Sequence, residues 1–229
     1  MCDGFGTTGL DVLQLPPQRG SNLLGMYMDT IQYGLYKTLG SLDTIKLKQE
    51  CLSIYETLKQ LPMDKSWVGN DGQPNAPTTL KSLSQYNIFT FPTKSLYELY
   101  DFVKQSFYEI EKAHYGYNLK QKYYIQAWLN VYQHGQFIDW HGHHYNVNWA
   151  WHGFYCVDAE PSETLYKFID GSEISVPSIN NQLCLGICEH NEHKTLAWPY
   201  TDRPRITIAF DIVSVQSLKD VQYNHWIPI

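Results

Sequence analysis

The chain has little charge and no concentration of one sign. Of its 229 residues only 17% are charged, and the 17 Lys and Arg are scattered against 23 Asp and Glu, giving a net charge of -6. The densest basic clusters are KLK at 46–48 and KQK at 120–122, so a general nucleic-acid binder is not expected. No run approaches the roughly 18 apolar residues that a membrane span needs. The first residues, MCDGFGTTGLDVLQLPP, lack the basic and apolar regions of a secretory signal. The five cysteines show no framework spacing, which points to free thiols in a reducing cytoplasm. Apolar residues at 43% exclude a disordered or fibrous protein and suffice for a full core without disulfides. No Ser-His-Asp order, phosphate-binding glycine loop or glycosidase carboxylate pair is evident.

What is present is histidine. There are 9, and five of them (His134, His141, His143, His144 and His152) fall within nineteen positions. Before this cluster the sequence reads as helical. Leu47, Cys51, Ile54, Leu58 and Leu61 recur at helical spacing over 41–61. A second helix is expected over 95–114, with Ser95 and Glu98 as a capping box and Leu96, Leu99, Val103, Phe107 and Ile110 as its stripe. A strand or short helix is expected near 27–37, and a loop over 64–80. After Tyr117 come short β-rich segments: YYIQAWLNVY, WAWHGFYCVDAE, TLYKFIDGSEISVP, NQLCLGICEH and RITIAFDIV. Helices followed by many short strands predict an α+β fold, with a jelly-roll core and N-terminal helices packed on one side. The expected organisation is one domain over 1–229: mainly helical support to 120, the jelly roll over 121–216, and a tail from 217.

Asp139, His141 and His143 alternate, so on a regular strand they share one face. Imidazole suits Fe, Zn, Ni and Cu, and three potential ligands on one face favour a metal site over isolated histidines. Some 50 residues on comes Cys188-Glu189-His190-Asn191-Glu192-His193. Arg205 then opens the last apolar strand. It is either a surface residue beside a turn or a buried cation meeting a carboxylate, for which arginine is well suited. Cys184, Cys188, His190 and His193 form C-x3-C-x-H-x2-H, but this lacks the interval of about 12 residues that separates the ligand pairs of a zinc finger.

These residues carry a family resemblance. Tyr132 ends a strand, Gly135 follows, and His141 comes six residues later; HGFYCV stands at 152–157, His193 is the distal histidine, and Arg205 opens RITIAFDI. The stretch from about 124 to 213 resembles the double-stranded β-helix core of the Fe(II)- and 2-oxoglutarate-dependent oxygenases. It is most similar to the prolyl-hydroxylase-type branch and its short phage and marine bacterial members. The resemblance implies Fe(II), 2-oxoglutarate and O₂ as cofactor and cosubstrates, with oxidative decarboxylation to succinate and CO₂ coupled to substrate hydroxylation. It implies His141 and His193 as metal ligands, Arg205 as partner of the distal carboxylate of 2-oxoglutarate, and Tyr132 as a hydrogen-bond donor to that carboxylate.

One position departs from the pattern: His143 stands where the family has Asp or Glu. A three-histidine site, completion by Asp139, or an inactive site are the readings, and the spacing favours His141, His143 and His193. Three neutral imidazoles would leave the ion's charge uncompensated by the protein, tightening binding of an anionic cosubstrate. A cupin-like metal binder and a three-histidine thiol dioxygenase are the alternatives. Trp149, Trp151, Trp198 and Tyr155 are either pocket walls or core. His144 and His152 are undecided, and His114, His134 and His225 are expected on the surface. The substrate, a small molecule or a protein side chain, is not legible.

Overall fold

The computed structural model describes residues 33–37, 42–60, 86–115, 121–143, 150–168, 170–188, 191–215, 218 and 225–229. The expected loop at 64–80 lies outside them, as do Leu61, His144, Trp149 and His190.

The first helix, α1 (Thr44–Leu58), is capped by Asp43, whose side chain accepts from the Lys46 N–H at 3.0 Å. Its buried residues are Leu47, Cys51, Ile54 and Leu58, as the spacing predicts. The second, α2 (Lys94–Tyr115), buries Leu96, Leu99, Val103, Phe107 and Ile110. Its cap differs from expectation. Thr93 Oγ1, three residues ahead, accepts from the Leu96 N–H at 3.3 Å, while Ser95 is buried in the first turn and Glu98 pairs with Lys94.

Ten strands occur among the described residues: β1 (Tyr33–Lys37), β2 (Tyr123–Tyr132), β3 (Ile138–His141), β4 (Ala150–Asp158), β5 (Ser162–Phe168), β6 (Glu173–Ser178), β7 (Gln182–Ile187), β8 (Asn191–Thr195), β9 (Arg205–Ser214) and β10 (Ile227–Pro228). They form two antiparallel sheets, β1-β7-β4-β9-β2-β10 and β3-β8-β5-β6. From β2 to β9 the chain passes back and forth between the sheets, the winding of a jelly roll. The short polar β8 and the two-residue β10 were not among the expected strands.

Strands β4 and β9 are buried along their whole length, on both faces. Ile206, Ile208, Phe210 and Ile212 of β9, with Trp151 and Tyr155 of β4, share one buried cluster with the helix residues Leu47, Leu99, Val103 and Phe107. The Phe107 ring meets Trp151 edge-on at 5.7 Å and Tyr123 at 4.9 Å. Burying a side chain of that size stabilises by about 1.5–3 kcal/mol. Trp151 and Tyr155 therefore pack in this core. A second, smaller cluster joins Trp128, Phe154, Cys156 and Ala209 to Tyr166 and Val176 of the other sheet. It fills the space between the sheets, and on β9 the residues sharing that face are Arg205, Thr207, Ala209 and Asp211.

Candidate metal centre

His141 and His193 are register partners across the β3–β8 ladder, and their ring centroids are 4.2 Å apart. This pairing depends on an irregularity. Ile138 pairs with Thr195, so a regular antiparallel register would set His141 opposite Glu192; one extra residue in β3 moves it opposite His193. A bulge of this kind re-aims a side chain. It also breaks the alternation that would have put Asp139 and His141 on one face. Asp139 is exposed, and its Oδ1 accepts from the Trp140 N–H at 2.8 Å.

His143 lies beyond the end of β3, past Gly142. Its ring is parallel to that of His193 within 3°, at 5.2 Å, and 5.5 Å from that of His141. The ligand atoms of His141, His143 and His193 all lie within 4.8 Å of one another. His141 Nδ1 is 2.8 Å from the Asp139 carbonyl, which fixes its proton there and leaves Nε2 as the lone pair. His143 Nε2 and His193 Nδ1 are buried and have no hydrogen-bond partner among the described residues.

Two further residues join the cluster. His152, on β4, stacks 4.0 Å from His143 and 4.7 Å from His193. Asp211, on β9, accepts from both: His143 Nδ1 is 3.0 Å from its Oδ2, and His152 Nδ1 is 2.9 Å from its Oδ1. His143, His152 and Asp211 thus form a second grouping of ligand atoms within 4.8 Å of one another. Burial, reinforced by the nearby His143, pushes His141 down to about 3 and His152 down to about 4. Burial and the neighbouring His141 hold His193 well below its ordinary value. All three are neutral at neutral pH. Burial opposes the ionised form of Asp211, yet the two imidazoles keep its carboxyl well below the usual carboxylate range. Asp211 amends the expectation of uncompensated charge: an anion stands one hydrogen bond behind His143. It was legible as a polar position alternating with Arg205 and Thr207 in an otherwise apolar strand.

Arg205 is buried at the start of β9, 3% exposed, opposite Tyr132 in the ladder. Its Nε donates to Ser162 Oγ at 3.0 Å, its terminal nitrogens lie 3.5 Å from Thr207 Oγ1 and Ser178 Oγ, and its guanidinium sits 5.8 Å over the Tyr132 ring. Among the described residues no carboxylate pairs with it. Tyr132 is enclosed, and burial pushes its phenol up to about 12.

Other candidates are placed elsewhere. Cys184 is buried against Tyr166 Oη at 3.8 Å, and Cys188 packs with Ala150 and Val213. Neither joins a metal-type grouping among the described residues. Trp198 is buried, with its Nε1 donating to the Arg203 carbonyl at 2.7 Å. His134 is exposed. Trp128, unnoticed in the sequence, stands 6.0 Å from His143 and 6.2 Å from His152.

No family model and no curated protein matches this sequence. Solved structures do match. A prolyl-4-hydroxylase from Pseudomonas putida superposes with a TM-score of 0.59 at 12% identity, covering 79% of this chain and 92% of that one. A Trichoplax adhaerens prolyl hydroxylase, solved with a peptide fragment of the oxygen degradation domain of hypoxia inducible factor, gives 0.61 at 11%, covering 83% and 87%. SnoK, a non-haem α-ketoglutarate-dependent carbocyclase from nogalamycin biosynthesis, gives 0.53 at 10%, covering 86% and 88%. The fold is the one these two hydroxylases and the carbocyclase share.

Proposed function

We propose that this chain is a non-haem Fe(II)- and 2-oxoglutarate-dependent oxygenase that hydroxylates its substrate, with His141, His143 and His193 holding the metal. One observation carries the reading: the interior of the fold combines three converging imidazoles with a buried arginine that no carboxylate of the described residues neutralises. The iron fits the residues. A buried imidazole nitrogen without a partner is costly unless something binds it, and His143 Nε2 and His193 Nδ1 are two such atoms. Iron held by His141, His143 and His193 would supply the O₂ activation that couples decarboxylation of 2-oxoglutarate to succinate and CO₂ with oxidation of a substrate C–H bond.

The chain's own residues bind and orient. Arg205 pairs with the distal carboxylate of the cosubstrate, Ser162, Ser178 and Thr207 hold its guanidinium, and Tyr132 lies beneath it. Trp128, Phe154 and Ala209 keep water from the space between the sheets. We read 1–229 as one domain in which α1 and α2 cover the outer face of the larger sheet; the shared cluster around Phe107 and Trp151 supports this. A cupin-like binder would not require a buried cation at Arg205, and a thiol dioxygenase would need no 2-oxoglutarate, so stabilisation by 2-oxoglutarate separates these readings. The substrate is a small molecule or a protein side chain. A cytoplasmic location is supported by Cys51, Cys156, Cys184 and Cys188, which are buried free thiols. Among the described residues no helix is long and apolar enough to cross a membrane.

The test is anaerobic thermal unfolding of metal-stripped protein. Fe(II) or Mn(II) should raise the melting temperature, and 2-oxoglutarate should raise it further only when metal is present. A shift with metal alone turns the reading to a cupin-like binder or a thiol dioxygenase; no shift with either removes the metal site.

A further inference from the structure

Asp211 is a buried carboxylate on the interior face of β9, six residues beyond Arg205. Each of its oxygens takes one imidazole, at 3.0 Å from His143 Nδ1 and 2.9 Å from His152 Nδ1. These are hydrogen-bond lengths, and an ionised carboxylate only accepts, so both Nδ1 atoms carry the proton. A proton on Nδ1 puts the lone pair of His143 on Nε2, the buried atom that has no partner among the described residues.

We propose that Asp211 is the positioning residue of the metal site. It fixes His143 in the Nδ1–H tautomer, orients the ring so that Nε2 is the donor atom, and supplies through that hydrogen bond the negative charge that a carboxylate ligand would otherwise bring. His152 occupies the second oxygen and so holds the plane of the carboxylate. The side chain standing two residues after the first histidine is an imidazole, and the compensating anion comes from a different strand and a different sheet. The inference rests on His141, His143 and His193 being the ligands. The grouping of His143, His152 and Asp211 is read as support for that set, because its closest contacts are already hydrogen bonds.

The test is titration of anaerobic metal-free protein with Co(II), followed by calorimetry and by visible absorption. Wild type is expected to bind one equivalent. Asp211→Asn is expected to remain folded, to bind Co(II) 10–100-fold more weakly, the usual loss when the outer partner of a histidine ligand is removed, and to show shifted absorption bands. His152→Gln, which keeps a donor for Asp211, is expected to lose less. Wild-type affinity and spectrum in Asp211→Asn would overturn the proposal. So would two equivalents in wild type with one lost in Asp211→Asn, since Asp211 would then be a ligand. Absence of Co(II) binding by wild type would overturn the ligand set itself, a failure distinct from the other two. If Asp211→Asn does not fold, imidazole ¹⁵N spectra of Zn(II)-loaded wild type decide. His143 must keep its Nδ1 proton with Nε2 shifted by the metal, and an Nε2–H tautomer overturns the proposal.

Discussion

His141 faces His193 across the β3–β8 ladder only because β3 carries one residue more than β8 between this pair and the pair Ile138–Thr195. The two imidazoles thus owe their 4.2 Å approach to a bulge as well as to their identities. Each of His141→Ala and His193→Ala should abolish the metal-dependent rise in melting temperature. In wild type at 100-fold excess of metal over Kd that rise is about 5–10 °C. Deleting Asp139 removes the extra residue and leaves His141 opposite His193 in a regular ladder, so this variant should keep most of the rise. Scanning calorimetry with and without Mn(II) checks this, and loss of the metal response in the deletion variant would show that the pairing alone does not build the site.

The parts of the fold that follow burial were legible in the sequence. Leu47, Cys51, Ile54 and Leu58 on α1, and Leu96 through Ile110 on α2, repeat at helical spacing because one face of each helix is buried. Strands β2 and β9 stand out because they are buried on both faces. Strand β8 was missed for the opposite reason: in Asn191–Thr195 the buried residues are His193 and Thr195, so its inward face is polar. His141, His143 and His193 could be picked out by spacing and resemblance, but the bulge that defeats Asp139 leaves no mark on composition. His152 and Asp211 belong to strands whose apolar majority masks them, and only the pairing of β4 with β9, which sets His152 opposite Asp211, brings them together.

Arg205 is a buried cation held by hydroxyl groups and the Tyr132 ring. An uncompensated buried charge is unfavourable, and an apolar side chain of similar length avoids that cost. Arg205→Met should therefore unfold at no lower temperature than wild type without ligand, while losing all stabilisation by 2-oxoglutarate in the presence of Mn(II). Arg205→Lys keeps the charge but not the fork, and should retain a weakened response. Thermal unfolding over a 2-oxoglutarate series checks both. Undiminished stabilisation in Arg205→Met would place the anion site elsewhere.

Gly153 lies between His152 and Phe154 on β4, and a Cβ there would stand 2.4 Å from Phe210 Cζ and 2.7 Å from the Cys184 carbonyl oxygen. The phenyl ring and the sheet backbone would have to move apart. Gly153→Ala should cost about 1–3 kcal/mol by overpacking, measured by urea unfolding. Trimming the ring in Gly153→Ala/Phe210→Leu should recover part of that loss relative to the sum of the single changes. Strict additivity in the double variant would show that the ring is not what the methyl group meets.

Acid should destabilise the metal-free protein well before its carboxylates titrate. Burial and His143 lower His152 from 6.5 to about 4 and His141 from 6.5 to about 3. Between these values and 6.5 the unfolded chain binds protons that the folded chain refuses. Their contribution is fully present above pH 6.5 and is lost as pH falls through that window. Each histidine should then remove about 2 kcal/mol of stability between pH 7 and pH 5. Below about pH 4 the depressed carboxyl of Asp211 adds a further loss of the same sign. Urea unfolding of metal-free protein at pH 7, 6 and 5 should show the decline, with a shallower slope for His152→Gln, which has one fewer group to protonate on unfolding. A flat profile from pH 7 to 5 would mean that the imidazoles accept protons within the folded state.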